Sequence, residues 1–145
     1  MAIAPGDPII WRLSLERSPE EVFELLDTNG GRERFWALRS RSLPEGFALE
    51  FTGGLEAHVE VVEREPPTRM AIRYFGSRAE FDLVRRDDGG CLFEVRCYCD
   101  DQAEWMEFYP GWVSWLLVLK AAADFAVDLR NGADDRTWTQ RFVDQ

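Results

Sequence analysis

Three cysteines, a single histidine and a run of carboxylates are the residues of this chain with the chemistry to bind a metal or attack a substrate. Cys97 and Cys99 share one face of an alternating segment, and with Cys91 and His58 they would make a four-ligand site of thiolate and imidazole type. The spacing is not that of a zinc knuckle, and His58 falls on the strand face opposite Leu55, Ala57 and Val59. We therefore expect no metal, and read the thiols as reduced core residues. The same geometry removes a Cys–His nucleophile. No Gly-x-Ser-x-Gly elbow and no phosphate-cradling loop occurs; Gly53-Gly54 and Gly89-Gly90 read as turns. Asp100, Asp101, Glu104 and Glu107 gather ahead of the last helix, where a carboxylate with a raised pKa could move a proton. We read them as a solvated acidic loop. No catalytic residue and no cofactor is assigned.

Binding chemistry is richer. Trp11, Trp36, Phe51, Tyr74, Phe81, Phe93, Trp112 and Trp115 all fall on segment faces predicted to point inward. Large flat rings pack awkwardly in a tight core, whereas ligand pockets are lined by apolar and aromatic side chains with a few polar handles. Tyr74 and the indole N–H groups would be such handles. Residue types alone leave two readings, pocket and solid core.

The elements that position these rings can be read from periodicity. Ile9 to Leu15 alternates, with Ile9, Trp11, Leu13 and Leu15 on one face, as a half-buried strand does. Ser18-Pro19-Glu20-Glu21 supplies a cap, a proline at the first helical position and a carboxylate three residues after the cap. Val22, Phe23, Leu25 and Leu26 give that short helix its apolar stripe. Asn29-Gly30-Gly31 is expected to close it, with another helical turn over Arg32 to Trp36. From there to residue 99 the chain reads as an antiparallel meander of about six strands. Five are marked by alternation: Phe47–Phe51, Leu55–Val61, Met70–Tyr74, Ala79–Leu83 and Phe93–Cys99. Gly53-Gly54, Pro66-Pro67, Gly76-Ser77 and Asp87 to Gly90 separate them.

A polar loop, Asp100 to Glu107, is expected next, and then a long helix entered at Pro110-Gly111. Trp112 to Arg130 gives it 19 residues, about 28 Å at 1.5 Å per residue, with Asn131-Gly132 as its stop. Trp112, Trp115, Leu116, Leu119, Ala122, Ala123 and Ala126 form one stripe, and Val113, Leu117, Val118, Phe125 and Leu129 widen it. A helix so apolar needs a sheet on one side and further cover on another. The order of elements predicts an α+β layout with one antiparallel sheet curled around the terminal helix.

Composition bounds the rest. The 145 residues suit one domain, and 46% hydrophobic with 13% aromatic content excludes intrinsic disorder. The net charge is −10. Such a surface repels phosphate backbones and anionic headgroups, so neither nucleic acid nor membrane is an expected partner. Met1 to Pro8 shows no signal-peptide pattern, and Lys120, Asp124 and Asp128 interrupt the longest apolar stretch. With an odd number of cysteines, a reduced cytoplasmic setting is expected.

Several strings, in order, resemble the SRPBCC or START-like superfamily, and within it the homologues of the heat-shock-protein-90 ATPase activator. They are Ser18-Pro19-Glu20-Glu21-Val22-Phe23, Arg34-Phe35-Trp36, Val59-Glu60-Val61-Val62-Glu63-Arg64-Glu65-Pro66-Pro67, and Gly111-Trp112 with Leu116, Leu119 and Lys120. The resemblance covers residues 9 to 130. It implies the helix-grip fold: a curved antiparallel sheet of six to seven strands around a long C-terminal helix, with two short helices after the first strand. It also implies a cavity between sheet and helix that takes a hydrophobic small molecule. On that basis the eight aromatics named above, together with Leu116 and Leu119, are the expected cavity lining. The superfamily contains carriers, receptors, cyclases and chaperone co-factors, so fold does not give activity.

We therefore expect a single domain, core 9–130 with a tail at 131–145, that binds a hydrophobic or aromatic molecule as a carrier or sensor. The alternatives are an enzyme of cyclase or dehydrase type using the same cavity, and a chaperone co-factor or other protein-interaction module. The tail, with Trp138 and Phe142, is expected to dock on the outer face of the long helix over Val113, Leu117 or Phe125, or to reach a second subunit in a homodimer.

Overall fold

The computed structural model describes residues 7–98 and 102–139, with side chains over 7–98 and 111–137. The chain runs β1 (Pro8–Leu15), α1 (Pro19–Asp27), α2 (Asn29–Glu33), β2 (Arg39–Leu43), β3 (Gly46–Glu50), β4 (Glu56–Glu65), β5 (Arg69–Tyr74), β6 (Ser77–Arg85), β7 (Cys91–Tyr98), α3 (Gln102–Phe125) and α4 (Arg136–Thr139). All seven strands form one antiparallel sheet in the order β1-β7-β6-β5-β4-β3-β2. The first and last helices of the core, α1 and α3, pack on one face of it, α1 against β6 and α3 against β1. This is the α+β layout that the order of elements predicts and the helix-grip fold that the resemblance implies.

Local chemistry explains most of the boundaries. Ser18 caps α1, its hydroxyl accepting from the Glu21 N–H at 3.2 Å, with Pro19 in the first turn. Thr28 then serves two helices. Its hydroxyl donates to the Glu24 carbonyl at the end of α1 and accepts from the Gly31 N–H at the start of α2, both at 2.9 Å. Asn29-Gly30-Gly31 therefore opens a helix instead of closing one, and residues 34–36 follow as a turn. Gly31 is needed for this close passage: a Cβ there would stand 2.6 Å from the Glu24 carbonyl oxygen. The buried Arg32 fastens α2 to β2 through Ser40 Oγ at 2.8 Å, with its guanidinium 3.8 Å above the Phe47 ring.

The strand missing from the sequence reading is β2. Its residues, Arg-Ser-Arg-Ser-Leu, carry no apolar alternation. β2 is the edge of the sheet and pairs only with β3, Arg39 opposite Glu50 through Leu43 opposite Gly46. An edge strand facing water on most of its surface needs polar side chains, so periodicity is silent there. On β4, Ala57 and Val59 are buried and His58 is outward, as alternation predicts, but Leu55 is exposed and the register shifts between Val61 and Glu63.

The long helix is displaced from its expected position at both ends. It begins at Gln102, so residues 102–107 are helical and not a polar loop, and Pro110 lies within it. A proline in a helix interior forfeits one backbone hydrogen bond, a cost a long packed helix can carry. α3 stops at Phe125, five residues before the expected end, where Ala126 turns left-handed with φ 53°. Two cations hold this terminus: Arg17 donates to the Ala123 carbonyl at 3.0 Å and Arg34 to the Ala122 carbonyl at 3.3 Å. Asp124, almost completely buried, accepts from the Glu16 N–H at 2.8 Å and from Lys120 Nζ at 2.9 Å.

Over its described residues the tail does not dock on the outer face of α3. Leu117 and Phe125 stay exposed on the outer side of α3. The segment after α3 turns the other way, towards the end of the sheet where β5 finishes. Arg130 donates to the Ala37 carbonyl at 2.9 Å and the Glu33 carbonyl at 2.7 Å, and Asp134 accepts from the Thr52 N–H at 2.9 Å and from the Thr52 hydroxyl. Buried carbonyls and an orphan turn N–H outcompete the apolar helix surface for this segment. Phe142 and the Trp138 side chain lie outside the described residues. Among those residues no helix is long and apolar enough to cross a membrane.

Candidate functional site

A cavity of about 540 Å³ lies between the sheet and the first described turns of α3. Its walls come from four places. The loop after α2 gives Phe35 and Trp36, and the stretch between β3 and β4 gives Phe51 and Leu55. The β5–β6 hairpin gives Tyr74 and Phe75. Helix α3 gives Gly111, Trp112, Ser114, Trp115 and Val118, and Thr137 of α4 completes the enclosure. The half-exposed side chains of Leu55 and Phe75 mark the mouth.

The walls are mostly rings set at steep angles. Trp36 meets Tyr74 at 5.5 Å and 86°, Trp115 at 5.3 Å and 85°, and Phe47 at 5.5 Å and 75°. Trp112 meets Trp115 at 5.2 Å and 69°. Edge-to-face packing suits the ring quadrupoles. Rings held this way cannot collapse into the space they surround, as flexible aliphatic chains would.

Of the ten residues expected to line the cavity, Trp36, Phe51, Tyr74, Trp112 and Trp115 do so. Trp11, Phe81, Phe93, Leu116 and Leu119 are not on the wall. Phe81 and Phe93 are completely buried and stack behind Trp115, at 5.4 Å and 6.1 Å, while Trp11 lies 6.3 Å behind Trp112. These three form a second layer that holds the wall in place. Leu116 and Leu119 belong to the packed core.

The reason is a rotation of the helix. Leu116, Leu119 and Ala123 are buried in the core, and the adjacent row of Gly111, Trp112, Ser114, Trp115 and Val118 faces the cavity. Ser114 stands in that row at helical spacing, so a polar residue inside an apolar face was the available signal. Phe35, beside Trp36, is signalled only by adjacency. Phe75, Leu55 and Thr137 sit in turns or the tail, where periodicity carries no information.

Polar groups at the wall are few. Trp36 Nε1 donates to the Tyr74 hydroxyl at 3.3 Å, and among the described residues that hydroxyl has no acceptor for its own proton. Tyr74 as a whole is half-buried. Burial pushes its pKa up to about 12, only partly offset by the Trp36 N–H. Trp115 Nε1 is buried without a hydrogen-bond partner, among ring faces.

Charge sits on the opposite face of the sheet. There Arg69 reaches Glu63 at 2.8 Å and both Glu80 and Asp82 at 3.1 Å. Arg78 pairs with Glu80 and Glu63, and Arg96 with Asp82. Burial alone would raise the Glu80 pKa, but Arg78, Arg69 and the Tyr98 hydroxyl hold it below the usual carboxylate range.

The nucleophile and metal candidates do not assemble. His58 is exposed and pairs with Glu56 at 2.7 Å, far from the buried Cys91 and Cys97 on the sheet's inner face. Burial pushes the Cys91 thiol up to about 11. Among the described residues no group of three metal-ligating side chains occurs. Cys99, Asp100 and Asp101, and the side chains of Glu104 and Glu107, lie outside the described residues.

No protein-family model and no curated protein matches the sequence. Solved structures do. The Aha1 dimer from Colwellia psychrerythraea is 19% identical with a TM-score of 0.68, over 81% of this chain and 96% of that one. CalU16 from Micromonospora echinospora is 22% identical with a TM-score of 0.66, over 90% and 83%. DynU16, from the dynemicin biosynthetic locus, is 16% identical with a TM-score of 0.73, over 86% of this chain and 49% of that one. This chain thus spans about half the length of DynU16. At these identities the likeness is one of fold alone, the helix-grip fold.

Proposed function

We propose that this protein binds a hydrophobic, ring-bearing small molecule in the cavity between the sheet and α3. One observation carries the reading: a space of about 540 Å³ with seven aromatic side chains on its wall. That volume falls within the roughly 300–1,000 Å³ typical of small-molecule sites. A domain of this size has no packing reason to keep such a space, because each missing contact costs dispersion energy. Transfer of apolar surface from water would drive binding, at roughly 25 cal/mol per Å². The likeness to CalU16 and DynU16 supports a ligand-holding use of the fold.

The test is native mass spectrometry of freshly purified protein against its denatured mass, followed by titration with a neutral aromatic ketone, 9-fluorenone, read by indole fluorescence. A bound mass lost on denaturation, or saturable quenching that weakens at least tenfold in Trp112→Ala, is the expected result. A bare mass together with no saturable quenching would overturn the reading.

A further inference from the structure

Resting on that binding reading, we infer that the cavity selects an uncharged ligand carrying an oxygen acceptor, and that the Tyr74 hydroxyl donates the hydrogen bond that orients it.

The first half follows from what the wall lacks. Among the described residues no lining side chain carries a charge, although the chain as a whole has 17 basic and 27 acidic residues. The Arg69–Glu80–Asp82 ladder is on the far side of the sheet and is internally paired, and at the open end Arg130 and Asp134 are taken up by Asp128, the Ala37 and Glu33 carbonyls and Thr52. An ionised carboxylate or ammonium entering the cavity would lose its hydration and meet no counter-charge among the described residues. That transfer is far costlier than burying a neutral polar group. An anion is further opposed by the field of a protein with net charge −10.

The second half follows from the hydrogen-bond count at Tyr74. A phenol offers one donor and accepts through its oxygen. Here the oxygen already accepts from Trp36 Nε1 at 3.3 Å, which fixes the hydroxyl where the two lining rings meet. Among the described residues the donor is unused. With its pKa pushed up to about 12 the hydroxyl keeps that proton through the physiological range. A buried donor with no acceptor is costly, and a carbonyl or ether oxygen on the ligand would satisfy it. The wall offers mainly aromatic faces and edges, against which a planar ring system packs best, so the acceptor belongs on such a ring system.

Three probes of nearly one size separate the claims: fluorene, 9-fluorenone and 9-fluorenone-4-carboxylate, each titrated into the whole protein. Fluorenone is expected to bind at least about a hundredfold more tightly than the carboxylate. Tyr74→Phe should lower fluorenone affinity roughly two- to tenfold while leaving fluorene unchanged. The carbonyl stretch of fluorenone bound to the unmodified protein should shift to lower frequency than in hexane, a readout that needs no variant. Comparable binding of the carboxylate, or an unshifted carbonyl with an equal loss for both neutral probes in Tyr74→Phe, would overturn the inference while leaving the cavity reading intact. If none of the three probes binds, the cavity reading itself fails and this inference falls with it.

Discussion

At the end of the sheet–helix interface near Leu15 and Leu119 the buried side chains are aliphatic and the space is closed, whereas at the end near Tyr74 and Trp112 they are aromatic and a cavity remains. Both ends lie under the same helix and against the same sheet. At the closed end Leu15, Val22, Leu26 and Leu119 have no exposed surface, and α3 is fastened by Arg17, Arg34 and Asp124. At the open end the rings brace one another, and the tail is latched across by Arg130 and Asp134. Flexible aliphatic chains adapt to fill a space, while rigid rings in mutual edge contact can frame one. One end of the molecule is thereby closely packed, and the other keeps the space in which the proposed ligand would sit.

That division can be broken most strongly from the closed end. Leu119→Ala should lower unfolding free energy by roughly 2–5 kcal/mol in denaturant titrations, while ligand affinity of the protein that remains folded is unchanged. A parallel loss of fluorenone affinity would show that the two ends are not independent.

Alkaline titration probes the open end with an effect nearly as large. The Tyr74 pKa is raised from 10.0 to about 12, so the folded protein keeps a proton that the unfolded chain has released. This stability contribution is complete below about pH 10 and is lost as pH climbs towards 12. It amounts to about 2–3 kcal/mol at 1.36 kcal/mol per pH unit. Because other groups titrate in the same window, the measured quantity is the difference in pH dependence between the unmodified protein and Tyr74→Phe. Superimposable profiles would place the hydroxyl in water.

Asp124→Ala returns to the closed end with a smaller effect. It leaves the Glu16 N–H and Lys120 short of a partner, and should cost roughly 1–3 kcal/mol. Amide exchange should quicken over the last turns of α3 and not around Trp112. Uniform quickening along α3 would mean the helix opens as one unit.

The two ends also differ in how far the sequence discloses them. Buried strands with a period of two, the Ser18-Pro19 cap and the apolar helix stripe are repeating or stereotyped signals, and they locate β1, α1 and the central strands. β2 escapes because an edge strand of Arg and Ser satisfies its backbone without apolar alternation. The cavity is half legible. Trp36, Phe51, Tyr74, Trp112 and Trp115 are recognisable as inward-facing aromatics, but Phe81, Phe93 and Trp11 carry the same pattern and stand one layer behind. Alternation says which face a ring takes and is blind to depth. Phe75, Leu55 and Thr137 depend on turns and on the path of the tail, which long-range contacts such as Asp134 to Thr52 decide.

Phe75 sharpens the comparison with the smallest expected effect. It adopts φ 50°, followed by Gly76 at φ 78°, so the β5–β6 hairpin turns through two left-handed residues. Such a turn favours Asn-Gly, and a bulky aromatic in this conformation is strained by roughly 1 kcal/mol. Its ring is half exposed at the mouth, 4.5 Å from that of Tyr74. Neither its exposure nor its backbone favours phenylalanine for folding, and under the proposed function its ring, packed on Tyr74, would also touch the ligand at the mouth. Phe75→Asn should therefore raise stability by about 0.5–1 kcal/mol as the strain is relieved, and weaken fluorenone binding severalfold as a mouth aromatic is lost. A variant that loses stability and binds as well as before would make Phe75 a packing residue, and would move the boundary between the two ends outward to Trp36 and Tyr74.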